Sequence, residues 1–230
     1  MAKVKAILFD KDGTLYDFQM TYGAWAVGLV HMLAGDDPVL AEVLATELKL
    51  DLAQCQFAPG SVAIAGTVTD IRDALAPHLP FTRDDLYNRI DSTAHDVPLT
   101  PVVPLQSYLE GLSDLGVELG VVTNDSETSA KAHLDRTGIL GCFGFIAGYD
   151  SGFGAKPAPG PLWAGARALG ARPEETLMVG DSRHDLLAGR AAGMTTVGVL
   201  TGVADGDDLD PLADVVLSDI GDLPDWLGGR

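Results

Sequence analysis

Short apolar runs alternate with amphipathic stretches from about residue 100 to the end of the chain. The runs are rich in valine and end at polar turns, which predicts buried strands at 117–123, 143–148, 176–181, 195–200 and 213–218. Helices are predicted between them at 104–116, 126–137, 159–169 and 183–192, and glycines at 138, 170 and 193 fit helix ends. This alternation predicts an α/β fold built on a doubly wound parallel sheet.

The first third of the chain has a different pattern. The run KVKAILFD at 3–10 predicts another strand of the same sheet, but no core strand is predicted between 18 and 97. Helices are predicted there at 22–34, 38–53, 67–77 and 83–93, separated by segments rich in glycine and proline. The sequence therefore predicts two units: an α/β core from 1–17 and 98–230, and an inserted all-helical domain at 18–97.

Charge and composition narrow the functional classes. The formal net charge is -18, which disfavours nucleic-acid and anionic membrane partners because both are negatively charged. No apolar run is long enough to span a bilayer, and the N-terminal residues lead directly into a strand without a signal-peptide pattern. Cys55 and Cys142 lack metal or redox spacing. We therefore expect a cytoplasmic protein.

Two carboxylates follow the first predicted strand. Asp10 and Asp12 stand at i and i+2, where extended backbone directs side chains to one side. Two carboxylates about 4 Å apart repel each other by roughly 4 kcal/mol at an effective dielectric near 20. A shared proton or a cation between them would offset this repulsion.

Other polar residues follow the remaining strands. Ligands of open parallel sheets bind beyond the carboxyl ends of the strands. These ends contribute Thr123 and Asn124, then Lys156 from a later loop, and then Asp181, Ser182 and Asp185. Asp10, Asp12 and Asp181 form a set of oxygen donors suited to Mg²⁺, which we expect to balance the paired acids.

The order DKDGT, VVTN, AKP and VGDSRHD resembles the motifs of the haloacid dehalogenase (HAD) superfamily, spanning positions 10–185. It resembles the phosphoglycolate phosphatase-like branch, which has a Rossmann-like core and a helical cap that sets specificity. The resemblance implies that Asp10 is the nucleophile that forms an aspartyl-phosphate, and that Asp12 is the general acid and base. It implies Mg²⁺ bound by Asp10, the Asp12 backbone carbonyl and Asp181.

The same resemblance implies phosphate binding by Thr123, Asn124 and Lys156. Ser182 and Asp185 would support the site, although they also match a capped helix start, and Asn124 with Glu127 matches another. Gly13 fits a turn that needs backbone freedom, and Thr14 is either a supporting residue or part of that turn. Lys11, between the two acids, is expected to be structural or solvent-facing.

The implied reaction is hydrolysis of a small phosphorylated metabolite. Asp12 argues against a true dehalogenase, which lacks this acid. A sugar phosphomutase remains the enzymatic alternative, and a catalytically idle ligand-binding or scaffold protein is a second one. The oligomeric state, monomer or homodimer, is left open.

Several residues of the predicted insertion are candidates for contacts with substrate. The loop at 57–66 could fold over the site, and Arg72 and Arg83 could bind an anionic group, although ion pairing on helix surfaces is the simpler interpretation. Trp25 and His31 lie on an apolar helical stripe and are expected to pack in a core.

Overall fold

The computed structural model of the protein describes residues 4–94 and 97–229. Within these ranges the strands are β1 (Ala6–Phe9), β2 (Leu50–Asp51), β3 (Gln56–Phe57), β4 (Glu118–Val122), β5 (Phe145–Ala147), β6 (Thr176–Gly180), β7 (Thr195–Val199) and β8 (Val215–Leu217). Six of them form a parallel sheet in the order β5-β4-β1-β6-β7-β8. The predicted doubly wound α/β fold is confirmed; the predicted start of the first strand, Lys3, lies outside the described residues.

The helices of the described ranges are α1 (Phe18–Ala34), α2 (Pro38–Glu47), α3 (Val62–Ala65), α4 (Val68–Leu75), α5 (Arg83–Ala94), α6 (Leu105–Asp114), α7 (Glu127–Arg136), α8 (Gly160–Ala168), α9 (Arg183–Ala192), α10 (Gly206–Leu209) and α11 (Leu223–Gly228). Short 3₁₀ turns connect several of them. No helix of the described residues is long and apolar enough to cross a lipid bilayer.

Side chains of β1 alternate between two apolar layers. Ile7 and Phe9 pack in a cluster that includes Leu109 of α6 and Leu134 of α7. Leu8 points to the other face, where it packs with helices α8 and α9. Because both faces are covered, the strands are continuously apolar until they reach the edge where the polar residues begin.

The helices between β1 and α6 surround an apolar cluster of their own. We call the segment from α1 to α5, with the short β2–β3 pair, the helical insertion. The predicted helix at 38–53 is too long: α2 ends at Glu47, and Leu50–Asp51 pairs with Gln56–Phe57 in an antiparallel hairpin that the pattern did not predict. Lys49 lies in the turn between α2 and β2 with φ 49°, so its expected helical placement is wrong. The division into two folding units remains a prediction.

The surface predictions for the helical insertion have mixed outcomes. Arg72 and Arg83 both pair with Asp73, which confirms ion pairing on the helix surface. His31 is exposed, so its predicted core placement is wrong, whereas Trp25 is half-buried against the cluster. Cys55 and Cys142 are separate, unbridged thiols.

Candidate active site

The three central strands bring the predicted acids to one edge of the sheet. Phe9 of β1 is in register with Val121 of β4 and with Val179 of β6. Asp10 therefore follows its strand beside the ends of both neighbours, and its amide donates to Val179 O at 2.8 Å. This register places Asp10 between the residues that follow β4 and those that follow β6.

Lys156 links two of these acids. Its Nζ lies 2.6 Å from Asp10 Oδ1 and 2.5 Å from Asp185 Oδ1, and all three side chains are almost fully buried. The loop after β5 is fixed by Asn124, whose side-chain oxygen accepts from the Lys156 amide at 2.9 Å and whose amide nitrogen donates to Lys156 O at 3.0 Å. Asn124 thus positions the lysine through its backbone.

Asp10, Asp181 and Asp185 form a compact acidic cluster in which one ligand atom from each lies within 4.8 Å of the others. Asp181 Oδ2 is buried and has no hydrogen-bond partner among the described residues. An unpaired buried carboxylate oxygen is costly unless a ligand completes it. Three carboxylates with one such oxygen suit a hard divalent cation such as Mg²⁺.

Two glycines make room for Asp181. A Cβ on Gly13 would lie 2.3 Å from Asp181 Oδ2, and a Cβ on Gly202 would lie 1.7 Å from the same atom. Gly13 also has a φ of 85°, which side-chain-bearing residues rarely adopt, and its carbonyl accepts from Thr201 Oγ1 at 2.6 Å. The backbone therefore encloses the carboxylate closely on two sides.

Asp12 points to a different partner. Its Oδ1 accepts from Lys11 Nζ at 2.7 Å and from Tyr22 OH of α1 at 2.8 Å. Its carboxylate is therefore not part of the acidic cluster, where Asp185 stands with Asp10 and Asp181 instead. Ligation of Mg²⁺ by the Asp12 carbonyl remains a prediction.

Lys11 is completely buried, so its expected solvent-facing position is wrong and its structural role is the one found. Besides Asp12, its Nζ contacts Asp125 Oδ2 at 3.2 Å, Tyr22 OH at 3.1 Å and His133 Nδ1 at 2.9 Å. Each acid that follows β1 thus has its own buried lysine. These two ammonium groups offset much of the repulsion between Asp10 and Asp12 that the sequence indicates.

The hydroxyl and amide residues have specific local roles. Thr123 is buried, and its Oγ1 accepts from the Asp125 amide at 3.0 Å. Ser126, not Asn124, caps α7, because its side chain accepts from the Ser129 amide; the predicted capping box of Asn124 with Glu127 is wrong. The capped start predicted for Ser182 and Asp185 is confirmed, with Ser182 Oγ donating to Asp185 Oδ2 at 2.7 Å.

Thr14 lies beside the acidic cluster. It is completely buried, and its Oγ1 donates to Asp181 Oδ1 at 3.5 Å, a long contact. Thr14 thus supports the acid that has the unpaired oxygen.

Burial governs the electrostatics of the site. It raises the pKa of Asp10 to about 7, against the opposing effect of Lys156, and it raises that of Asp181 well above its usual range. Burial alone would lower the pKa of Lys156, but Asp10 and Asp185 raise it above its ordinary value. A bound cation would stabilise the ionised form of both acids.

A cleft opens above the strand ends. Its floor is polar and includes Asp10, Asp12 and Lys156. The helical insertion supplies the opposite wall, which includes Trp25 and part of the predicted loop at 57–66. The cleft thus places a buried nucleophile-type carboxylate, a lysine and an acidic cluster beneath an apolar cover.

Sequence reasoning assigned no role to Tyr22, Asp125 or His133, which complete the surroundings of Lys11. Asp125 lies three residues after the end of β4, in the same strand-end segment as Thr123 and Asn124. Tyr22 and His133 lie on α1 and α7, far from any strand end, and no local pattern indicates that they meet Lys11.

Comparisons with known proteins agree with this geometry. A family model described as haloacid dehalogenase-like hydrolase matches residues 4–193. The chain is 30% identical to a phosphoglycolate phosphatase of Neisseria meningitidis, over 98% of this chain and 90% of that protein. It is 32% identical to the pyrophosphatase PpaX of Oceanobacillus iheyensis, over 60% of this chain and 72% of that protein.

A solved structure has the same fold. The crystal structure of a predicted phosphoglycolate phosphatase from Haemophilus somnus superposes with a TM-score of 0.75 at 21% identity. The match covers 98% of this chain and 99% of that one. It therefore includes the helical insertion as well as the sheet.

Proposed function

Because this chain belongs to the haloacid dehalogenase-like hydrolases and is a phosphatase of that family, we propose that it hydrolyses small phosphomonoesters with Mg²⁺ through an aspartyl-phosphate on Asp10. One observation carries the proposal: Asp10 is buried at a strand end and ion-paired with Lys156, beside an Asp181 oxygen that has no hydrogen-bond partner among the described residues. A bound cation would pair with this oxygen and balance the charge of the three acids.

Asp10, Asp181 and Asp185 would hold the metal ion. When bound, Mg²⁺ supplies positive charge that stabilises the phosphoryl oxygens and the ionised carboxylates. Lys156 adds a second positive charge at the same place, and Thr123 offers a hydroxyl to the phosphoryl group. These groups match the charge that develops during phosphoryl transfer.

The first step transfers the phosphoryl group to the protein. A carboxylate oxygen of Asp10 attacks phosphorus while the bond from phosphorus to the ester oxygen breaks. Asp12 donates a proton to the departing alkoxide, which leaves as an alcohol. Lys11 and Tyr22 contact only Oδ1 of Asp12, and the described residues make no hydrogen bond to Oδ2, which is available for this transfer.

The second step regenerates the enzyme. A water molecule attacks the phosphorus of the aspartyl-phosphate, and the Asp12 carboxylate accepts a proton from it. The bond between phosphorus and the Asp10 oxygen breaks, releasing inorganic phosphate and restoring the carboxylate. Asp12 thereby returns to its protonated state for the next cycle.

Two of the similar proteins are named for phosphoglycolate and pyrophosphate, so both compounds belong in the substrate panel. Sugar phosphomutase activity is the alternative reaction, and an idle binding role is the other. We place the protein in the cytoplasm, where two separate thiols suit a reducing compartment. Neither a nucleic acid nor a membrane is a proposed partner, and the protein is a monomer or a homodimer.

The test is phosphate release from a panel of phosphomonoesters that includes an aryl phosphate. We expect release that stops with a chelator, is restored by Mg²⁺, and falls at least about 1000-fold in Asp10→Asn. Asp114→Asn on the exposed surface of α6 is the matched control and should retain full activity. Absence of release from every ester by folded, Mg²⁺-supplied protein would refute the proposal and favour the alternatives.

A further inference from the structure

The wall that the helical insertion presents to the cleft is almost entirely apolar. Its lining residues include Phe18, Tyr22, Trp25, Ile64, Val68 and Ile71. Apart from Tyr22, the polar lining residues among those described come from the strand ends and the segments that follow them. The cleft therefore has a charged end for a phosphoryl group and an apolar end for the rest of the substrate.

From this division we infer that the leaving group released by the enzyme is an uncharged alcohol with an aromatic or branched alkyl body. The inference rests on the proposed phosphatase reaction and specifies its substrate class. It separates this chain from enzymes whose substrates have a second anionic group, such as the carboxylate of phosphoglycolate or the second phosphate of pyrophosphate.

The lysine among the described lining residues of the cleft is already engaged. Lys156, the lysine of the described lining, is shared between Asp10 and Asp185 at 2.6 and 2.5 Å. Beyond it, the described lining contains one other side chain able to carry positive charge, His184, which follows β6 and lies on the charged side. A second anion against the apolar wall would lose its hydration without gaining a cationic partner, which is unfavourable.

The polar atoms of the aromatic residues are also occupied. Trp25 Nε1 donates to Thr93 Oγ1 at 3.1 Å, and Tyr22 OH donates to Asp12 Oδ1 at 2.8 Å. What these residues offer a substrate is apolar surface. An aromatic or branched alkyl group gains from burial against such surface.

The N-terminus of helix α4 also disfavours a second anion in the cleft. Its N-terminus begins at the lining residue Val68, and helix N-termini usually attract anions. Here the carboxylate of Asp70 is already at that position: its Oδ2 accepts from the Thr67 amide and from Thr67 Oγ1, both at 2.7 Å. A second negative charge would therefore be repelled rather than bound.

The decisive comparison uses benzyl phosphate and phosphoglycolate. Both esters release a primary alkoxide, so the comparison isolates recognition of the leaving group from its intrinsic reactivity. We expect kcat/KM for benzyl phosphate to exceed that for phosphoglycolate, and that for pyrophosphate, by at least about tenfold. Equal or higher values for either of these anionic substrates would overturn the inference.

One variant of the wall and one matched control test the assignment by residue. Trp25→Ala should lower kcat/KM for benzyl phosphate by about tenfold and that for methyl phosphate by less than about threefold, since only the larger group reaches the indole. Met32→Ala, an exposed position on the same helix, is the matched control and should leave both values unchanged. Equal losses for both esters in Trp25→Ala would count against the inference.

A gain-of-function variant covers the case in which Trp25→Ala disturbs the fold. Ile64→Arg places a cation on the half-buried wall and should raise the ratio of kcat/KM for phosphoglycolate to that for benzyl phosphate by about tenfold. An unchanged ratio would contradict the inference, because the wall would then not contact the leaving group.

Binding separates this inference from the proposed function. If wild-type protein releases no phosphate even from an aryl phosphate, the phosphatase proposal fails. Calorimetric titration of Asp10→Asn with benzyl phosphate and with phosphoglycolate, both in the presence of Mg²⁺, then tests the inference independently of turnover. Benzyl phosphate should bind at least about tenfold more tightly, and tighter binding of phosphoglycolate would overturn it.

Discussion

Replacement of Lys11 tests whether a buried lysine stabilises the fold with two neighbouring acids after β1. Replacing it by Met keeps the length and apolar stem of the side chain but removes the ammonium group. Asp12 and Asp125 would then lose a cation whose Nζ lies 2.7 and 3.2 Å from their nearest oxygens. We expect Lys11→Met to destabilise the fold strongly at pH 7.

The magnitude follows from these distances. At an effective dielectric near 20 the two gross attractions are roughly 6 and 5 kcal/mol. Burial of Lys11 offsets much of this, and an unpaired carboxyl can escape by binding a proton, which at pH 7 costs about 4 kcal/mol for a group of ordinary pKa. Removing one partner from a buried ion pair typically costs about 3–5 kcal/mol, and we expect that range here.

The assay is urea unfolding of the wild type, Lys11→Met, Asp125→Asn and the double variant. In the Lys11→Met background, Asp125→Asn removes a carboxylate without a partner, so it should be much less harmful than in the wild type. We expect a coupling free energy of at least about 1.5 kcal/mol. A loss below about 1 kcal/mol in Lys11→Met, or the same cost of Asp125→Asn in both backgrounds, would refute the reasoning.

Three further predictions address the metal cluster, a buried histidine and a glycine. Mg²⁺ should raise the Tm of the wild type by several degrees and leave the Tm of Asp181→Asn unchanged, as measured by scanning calorimetry. An equal rise in Tm for both proteins would contradict Mg²⁺ binding by the acidic cluster. Burial, assisted by the charge of Lys11, lowers the pKa of His133, so the unfolded chain binds a proton that the folded one does not. The stabilising contribution of neutral His133 should therefore be complete above about pH 6.5. On acidification this group should lower the free energy of unfolding by at most about 1.4 kcal/mol per pH unit. Urea unfolding at pH 7, 6 and 5 should show a shallower fall in His133→Gln than in the control His31→Gln, and identical slopes would contradict it. Gly202→Ala would place a Cβ 1.7 Å from Asp181 Oδ2 and should lower kcat at least about tenfold, whereas Gly206→Ala, with no atom within 4 Å of its added Cβ, should retain it.

The strands of the sheet were predicted well from the sequence because each is a short apolar run that ends at a polar turn. The same pattern placed Asp10, Lys156 and Asp181 correctly at one edge, since register follows from the parallel order. The helix end at Glu47 was missed because the apolar spacing continues through Leu48 and Leu50, while the backbone turns at Lys49 to form the hairpin.

The partners of the acids were harder to predict than their positions. Asp12 turns toward Lys11 and Tyr22, and Asp185 joins Asp10 and Asp181, because of where α1 and α9 pack. Such contacts join residues that are distant in sequence, so no local spacing encodes them. The position of Lys11 between two acids predicted either a structural or a solvent-facing side chain, and the fold surrounds it with groups from α1 and α7.

The close approach of two glycines to Asp181 has an evolutionary consequence. Gly202 carries no functional group and follows β7, far along the chain from the motif of Gly13, yet both limit the same carboxylate. Relatives that keep an acid at position 181 should therefore accept few side chains at either position. Substitution of Gly202 would be tolerated mainly in lineages that have already lost the acid at position 181. The loss of this glycine would therefore identify relatives that no longer have the activity that depends on this acid.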